Sequence, residues 1–197
     1  MSNPIQLVVG LGNPGSEYEQ TRHNAGFWYV DALADQLGAT FSLEKKLSAQ
    51  VAKCHWQDKP LWIAKPTTYM NDSGMAVQAL LQFYKTSVDS LLVAHDELDL
   101  PSGVIKLKSG GGTAGHNGLK SIIKCLGQTA QFHRVRIGIG HPGHSKKVHS
   151  YVLSRPSKTE HSTLLTGIQN LLPHTEALLG GHIDKLMKTL HTKTTAD

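Results

Sequence analysis

Cysteine is nearly absent from this 197-residue sequence: Cys54 and Cys125 stand far apart and form no CxxC pair. That excludes a disulfide framework and a zinc knuckle, and both thiols read as core residues. No run of 18 apolar residues occurs, so no membrane-spanning helix is expected. The opening Met1-Ser-Asn-Pro-Ile-Gln6 has neither the basic flank nor the apolar stretch of a secretion signal, which points to a cytoplasmic protein. Repeats, low-complexity tracts and charged linkers are also missing, and the chain reads as a single domain over residues 1–197. Aromatic residues make up only 6%, yet 39% hydrophobic residues can fill a core at this length, where folding removes roughly 70% of the unfolded surface from water.

Acidic residues are scarce in one half only. Residues 1–100 hold 7 Lys/Arg and 11 Asp/Glu, whereas residues 101–197 hold 13 and 4. A basic half of this kind is either a solvated lysine-rich surface or the footprint of a polyanion.

What is present alternates between strand and helix patterns. Ile5 to Val9 is a short apolar run stopped by Gly10 and Gly12. Phe27, Val30, Ala34 and Leu37 at helical spacing, with Gly38 following, predict a helix over about 24–37. Ala49–Trp56 and Leu61–Lys65 flank Gln57-Asp58-Lys59-Pro60 as a hairpin, and Asp72-Ser73 opens a helix through Tyr84. Further strands are expected at Leu91–Ala94, Val104–Lys108 and Val135–Ile139, and further helices at about 117–126, 158–172 and 182–191. The expected fold is a three-layer α/β/α sandwich around a twisted mixed β-sheet.

Gly10-Leu-Gly12-Asn13-Pro14-Gly15 satisfies GxGxxG after a strand, but a dinucleotide is not expected there. Pro14 removes a backbone donor where a pyrophosphate would need one, and no acidic residue closes a second strand to hold a ribose. Four polar loops remain. The first carries Asn13, aimed by the proline after it, and Thr21-Arg22-His23-Asn24 just before a helix; His23 there is a capping residue or a base. The second, Lys65-Pro-Thr-Thr-Tyr69-Met70-Asn71, reads either as an N-cap with core side chains or as a cleft wall. The third is His95-Asp96-Glu97-Leu98-Asp99, in which Asp96 could accept the N–H of an imidazole. His95 and Asp96 could share a metal ion only if the strand has ended, because neighbouring strand residues face opposite ways. The fourth, Gly110-Gly-Gly-Thr113-Ala114-Gly115-His116-Asn117-Gly118, lacks the Lys-Ser/Thr ending of a phosphate-binding P-loop, and Asn117 has the same capping alternative as Asn71. His141-Pro-Gly-His144 has a metal-like gap without a partner nearby and reads as a loop.

If the strands before them are parallel, these loops meet at one sheet edge. A histidine, a loop aspartate and three asparagines, with no serine or cysteine in a nucleophile elbow, describe attack of water on an acyl group. No metal and no cofactor are called for. Lys106 and Lys108 share a face of their strand, and Arg134 and Arg136 alternate likewise on theirs, either as wet faces of half-buried strands or as a phosphate-binding row.

Leu11-Gly-Asn13-Pro-Gly15, Tyr18 with Thr21-Arg22-His23-Asn24, Lys65 to Asn71, His95-Asp96-Glu-Leu-Asp99 and Gly-His116-Asn117-Gly118, in that order, closely resemble bacterial-type peptidyl-tRNA hydrolase over about residues 5–155. The resemblance implies a monomeric, metal-free α/β enzyme that cleaves the ester between a peptide and the terminal adenosine of tRNA. It implies His23 as catalytic base and Asp96 as its orienting acid. It matches Asn13, Asn71 and Asn117 to amides that hold peptide and ester, and places Tyr18, Tyr69, Met70 and His116 in the substrate cleft. Lys106, Lys108, Arg134 and Arg136 match positions near the tRNA acceptor stem, with Lys108 and Arg136 best matching a clamp on its 5′ phosphate. Tyr69 stands where phenylalanine is usual, and Thr113-Ala114 where His-Gly is often found. Related proteins on the same fold bind RNA without catalysis, and that is the alternative reading; a generic small-ester hydrolase would not need the basic half.

Overall fold

The apolar run near the amino terminus becomes β1 (Leu7–Gly10), buried along its whole length as a central parallel strand must be. The computed structural model describes residues 3–192. Within them β1 is followed by α1 (Ala25–Gln36), β2 (Phe41–Glu44), β3 (Ala49–Trp56), β4 (Lys59–Pro66) and α2 (Ser73–Tyr84). Next come β5 (Leu91–Glu97), β6 (Ile105–Ser109), α3 (Asn117–Cys125) and β7 (His133–Gly138), then α4 (Val148–Val152), α5 (Lys158–Leu171), α6 (Thr175–Leu179) and α7 (Ile183–Thr192).

One seven-stranded sheet runs in the order β2-β3-β4-β1-β5-β7-β6. β4, β1, β5 and β7 are mutually parallel, while β3 runs against β4 and β6 against β7. The β3–β4 hairpin closes through Gln57 and Asp58, both at positive φ (47° and 61°), the backbone of a two-residue type I′ turn whose twist suits paired strands. Two cores sandwich the sheet. Leu33, Ile168, Leu179 and Ile183 join α1, α5, α6 and α7 to Val8, Leu92 and Ile137 on one face. On the other face Val77, Leu80, Leu119 and Ile122 join α2 and α3 to Leu7, Val9 and Val93.

Gly10, the first glycine of the GxGxxG-like run, serves helix packing. A Cβ on Gly10 would collide with the Gly26 carbonyl, and a Cβ on Gly26 would collide with Ala94 O and the Leu11 backbone. α1 therefore starts almost in backbone contact with β1 and β5, which brings the turn ahead of it over their carboxyl ends. The Leu11 N–H donates to Ala94 O at 2.9 Å and extends that contact past the end of β1.

Two expectations are corrected. The first three residues of the third expected loop, His95 to Glu97, are strand, because β5 continues pairing with β7 as far as Glu97↔Gly138, and the turn begins only at Leu98. The fourth follows an antiparallel strand: β6 ends at Ser109, opposite His133 and thus level with Leu92. That is four residues, about 13 Å at ~3.3 Å per residue, short of Asp96. The glycine-rich segment 110–116 carries the chain back over that distance.

Gly26→Ala is expected to cost about 3 kcal/mol, the upper end of overpacking penalties, and so to lower Tm by roughly 6–12 °C in a chain of this length. An unchanged calorimetric melt would show that α1 can move away from the sheet.

Candidate active site

A cavity of about 800 Å³ opens where the carboxyl ends of β1, β4 and β5 meet. It is lined by Asn13, Tyr18, His23, Tyr69, Met70, Asn71, Asp96, His116 and Asn117, so all nine residues expected at the catalytic and substrate positions come together. Glu97, Leu98, Asp99, Thr113 to Gly115, His141, Ser145, Val148, His149, Val152 and Leu153 complete its wall.

At the floor, buried Asp96 accepts from two imidazoles. The His23 Nδ1–H donates to both its oxygens (3.0 and 2.9 Å), and the His116 Nε2–H donates to Oδ1 at 2.7 Å. The tautomers follow from the surroundings. His116 is the side-chain N-cap of α3: its Nδ1 accepts the Gly118 and Leu119 N–H groups (3.1 and 3.4 Å), so its proton sits on Nε2. His23 gives Nδ1–H to the carboxylate, which leaves the Nε2 lone pair for the cavity.

The charges are set by these contacts. Burial alone would push the Asp96 carboxyl up, but the charges and N–H groups of His23 and His116 outweigh it and hold the acid well below the usual carboxylate range. Burial likewise pulls His23 down, and the Asp96 charge and hydrogen bond outweigh it, so the imidazole titrates above its ordinary value. His95 lies on the opposite strand face from Asp96. Burial, reinforced by the facing His116, pushes it down to about 3, and its Nδ1–H donates to the Asp96 carbonyl at 2.8 Å.

Asn13 is fixed by its chain neighbours in the fold. Its Oδ1 accepts the Met70 N–H (2.8 Å), so its amide N–H₂ is the group left to a ligand. Asn24 closes this frame, accepting the Asn13 N–H on Oδ1 (2.9 Å) and donating from Nδ2 to the Asn13 carbonyl (3.0 Å). Asn71 precedes Asp72, which is the residue at the N-cap position of α2, and neither caps the helix through its side chain. Asn117 is the first residue of α3 and leaves the capping to His116. At the mouth, Tyr18 and the 58%-exposed Tyr69 meet edge to face, ring centres 6.2 Å apart.

The basic row divides. Lys106, Lys108, Arg134 and Arg136 do share one face, since Lys106 pairs with Arg136 and Lys108 with Arg134. Lys106 and Lys108 are half-buried and form no ion pair among the described residues. Arg136 is held by Glu97, Nε to Oε2 at 2.9 Å. Arg134 is a correction: it is 3% exposed, and its guanidinium donates to the Gly110 and Gly112 carbonyls, so it anchors the glycine segment instead of facing solvent.

Sequence reasoning left Asn24, Glu97 and the α4 wall without roles. Asn24 and Glu97 adjoin singled-out residues, whereas nothing in the α4 sequence marks it as cavity-lining. Among the described residues His23, Asp96 and His116 are the one group with ligand atoms spaced for a metal, all within 4.8 Å. Both nitrogens there carry protons directed at the carboxylate, and an ion would have to displace them.

Comparison with known proteins decides the family. The peptidyl-tRNA hydrolase family model matches residues 7–197. The chain belongs to the peptidyl-tRNA hydrolase family. It is 51% identical over 193 residues to a peptidyl-tRNA hydrolase of Neisseria meningitidis, covering 98% of this chain and all of the relative. It is 47% identical over 192 residues to that of Coxiella burnetii, again covering 98% and 100%. Among solved structures, the peptidyl-tRNA hydrolase of Acinetobacter baumannii superposes with a TM-score of 0.91 at 42% identity, covering 96% of each chain. This family membership agrees with the three-layer sandwich, and no described helix is long and apolar enough to cross a membrane.

In this peptidyl-tRNA hydrolase family member, NMR titration of His23 should place its midpoint above the ordinary ~6.5. Asp96→Asn removes the raising influence and leaves burial to act, so the midpoint should fall below the wild-type value. A midpoint that does not move would separate the two side chains electrostatically.

Proposed function

We propose that this protein hydrolyses the ester joining a peptide, or an N-blocked amino acid, to the terminal adenosine of tRNA, acting as a metal-independent cytoplasmic monomer. The observation that carries this reading is the buried Asp96 carboxylate on His23 Nδ1–H, which leaves His23 Nε2 as an acceptor at the floor of the cavity. In the proposed mechanism His23 Nε2 takes a proton from water as the oxygen attacks the ester carbonyl. Asp96 holds the ring and stabilises the imidazolium that forms, and neither group needs to become covalently attached to substrate. The carbonyl oxygen gains charge in that step, and asparagine amides on the cavity wall supply donors to it, the Asn13 N–H₂ among them. Proton return from His23 to the leaving 3′ oxygen of the ribose completes the cycle.

The RNA part of the substrate is supported by charge. α2 and α3 cover β1, β4 and β5, and further along the same sheet face lie Lys106 and Lys108, with Arg136 beside them on Glu97. Phosphates of the acceptor stem fit such a row, and the stem would then run from it toward the cavity. A catalytically silent RNA binder would have no use for the buried carboxylate between two imidazoles.

The test is turnover of N-blocked aminoacyl-tRNA by purified protein, with and without EDTA. Equal turnover in both is expected, and a loss in EDTA that zinc restores would overturn metal independence. Lys108→Ala should raise KM for the whole substrate and flatten its log–log salt dependence by about 1. The same variant should cut a short peptidyl-nucleoside ester at the wild-type rate; equal losses on both substrates would mean that the strand shapes the cleft and does not hold RNA.

A further inference from the structure

His23 is held through its two chain neighbours, and each is tied to a different part of the fold. Asn24 is locked to the Asn13 backbone. Arg22 reaches the other way, toward the carboxyl-terminal third of the chain. Its Nε and Nη2 donate to the two Glu160 oxygens of α5, both at 2.8 Å, in a bidentate pair. Its Nη1 donates to the Tyr151 carbonyl (3.2 Å), the Ser154 carbonyl and hydroxyl (3.2 and 2.6 Å) and the Arg155 carbonyl (3.3 Å). The guanidinium lies 4.1 Å from the centre of the Tyr151 ring, and the Arg22 backbone N–H donates to Ser154 O at 3.2 Å.

These carbonyls lie in and just past the last turn of α4, whose Val148, His149 and Val152 line the cavity together with Leu153 after it. A helix end presents carbonyls that have no partner within the helix, and cationic side chains satisfy them well. Arg22 is therefore one rigid fork bonded at once to the far wall of the cavity and to α5, and peptide-bonded to His23. Glu160 is fixed in its turn, since it closes the capping box of α5 with Ser157 and accepts from Ser102 and Tyr151. A lysine could carry the same charge but could not make the bidentate pair and cap four acceptors together.

We infer that Arg22 and Glu160 are positioning residues for hydrolysis: they hold the His23 turn and the α4 wall in one fixed relation, so that a peptidyl ester seated on the wall meets His23 Nε2 in register. The inference rests on the proposed activity, and its test has an arm that does not.

Arg22→Lys, Glu160→Gln and the double variant are compared with wild type. Each should fold, with a cooperative melt above the assay temperature. On N-blocked aminoacyl-tRNA kcat should fall between about 10-fold and 100-fold in each, the loss typical of a misplaced reacting group. Competition by deacylated tRNA should be unchanged, because the substitutions lie away from the basic row. The double variant should lose no more than the worse single one, as two halves of one brace. In NMR spectra the His23 Nδ1–H, hydrogen-bonded to buried Asp96, should give a sharp downfield signal in wild type that shifts or broadens in both single variants. A lowered Tm with unchanged kcat and an unchanged His23 signal would make the brace purely structural and overturn the inference, as would strictly additive losses in kcat. If wild type fails to cleave the ester, the proposed activity falls, and the NMR arm still decides whether Arg22 and Glu160 hold His23.

Discussion

The site depends on one buried carboxylate that accepts hydrogen bonds from two sides. Asp96 sits near the end of β5, where the strand is still paired with β7 but the helices on either face have begun. His23 approaches from the turn ahead of α1, and His116 from the first turn of α3. An unpaired charge so deeply buried would be costly, and two directed N–H groups offset that cost. The same bonds choose the tautomer of each ring. Removing either imidazole therefore changes the charge environment of the other, although the two rings lie on separate elements.

That arrangement requires backbones to approach closely. Gly10 and Gly26 allow α1 to begin against β1 and β5, and the turn holding His23 follows from that contact. At the outer edge of the sheet β6 runs antiparallel to its neighbour β7, so the glycine segment must travel back toward the cavity before α3 can start. Arg134 fastens that segment by its carbonyls. Burial pushes this guanidinium down from its ordinary value, with the nearby Arg136 acting in the same direction. Arg134 remains charged, in a place where a residue facing solvent was expected.

Much of this was legible in the sequence. The helix over 24–37 is α1 with the short 3₁₀ turn that carries His23 before it, and the helix through Tyr84 is α2. The hairpin was legible because turn residues interrupt two β-rich runs, although its turn is only Gln57-Asp58 and β4 already begins at Lys59. All nine cleft residues were legible from spacing and resemblance together. Other features depend on partners that sequence pattern does not reveal. The extent of β5 was missed because His-Asp-Glu looks like a loop, and only its pairing with β7 makes it strand. Arg134 and Arg136 alternate identically along β7, yet one is buried under the glycine segment and the other meets Glu97. Glu160 lies 138 residues from Arg22, and no local signal joins them.

The central claim is that Asp96 makes His23 a working base by its charge and not by its shape. It is tested most directly by kcat for N-blocked aminoacyl-tRNA in Asp96→Asn, a substitution that keeps the size and one acceptor oxygen. A fall of at least ~10² is expected, within the range of general acid–base contributions, with tRNA affinity and the folded state retained. A kcat equal to wild type in a folded Asp96→Asn protein would contradict it.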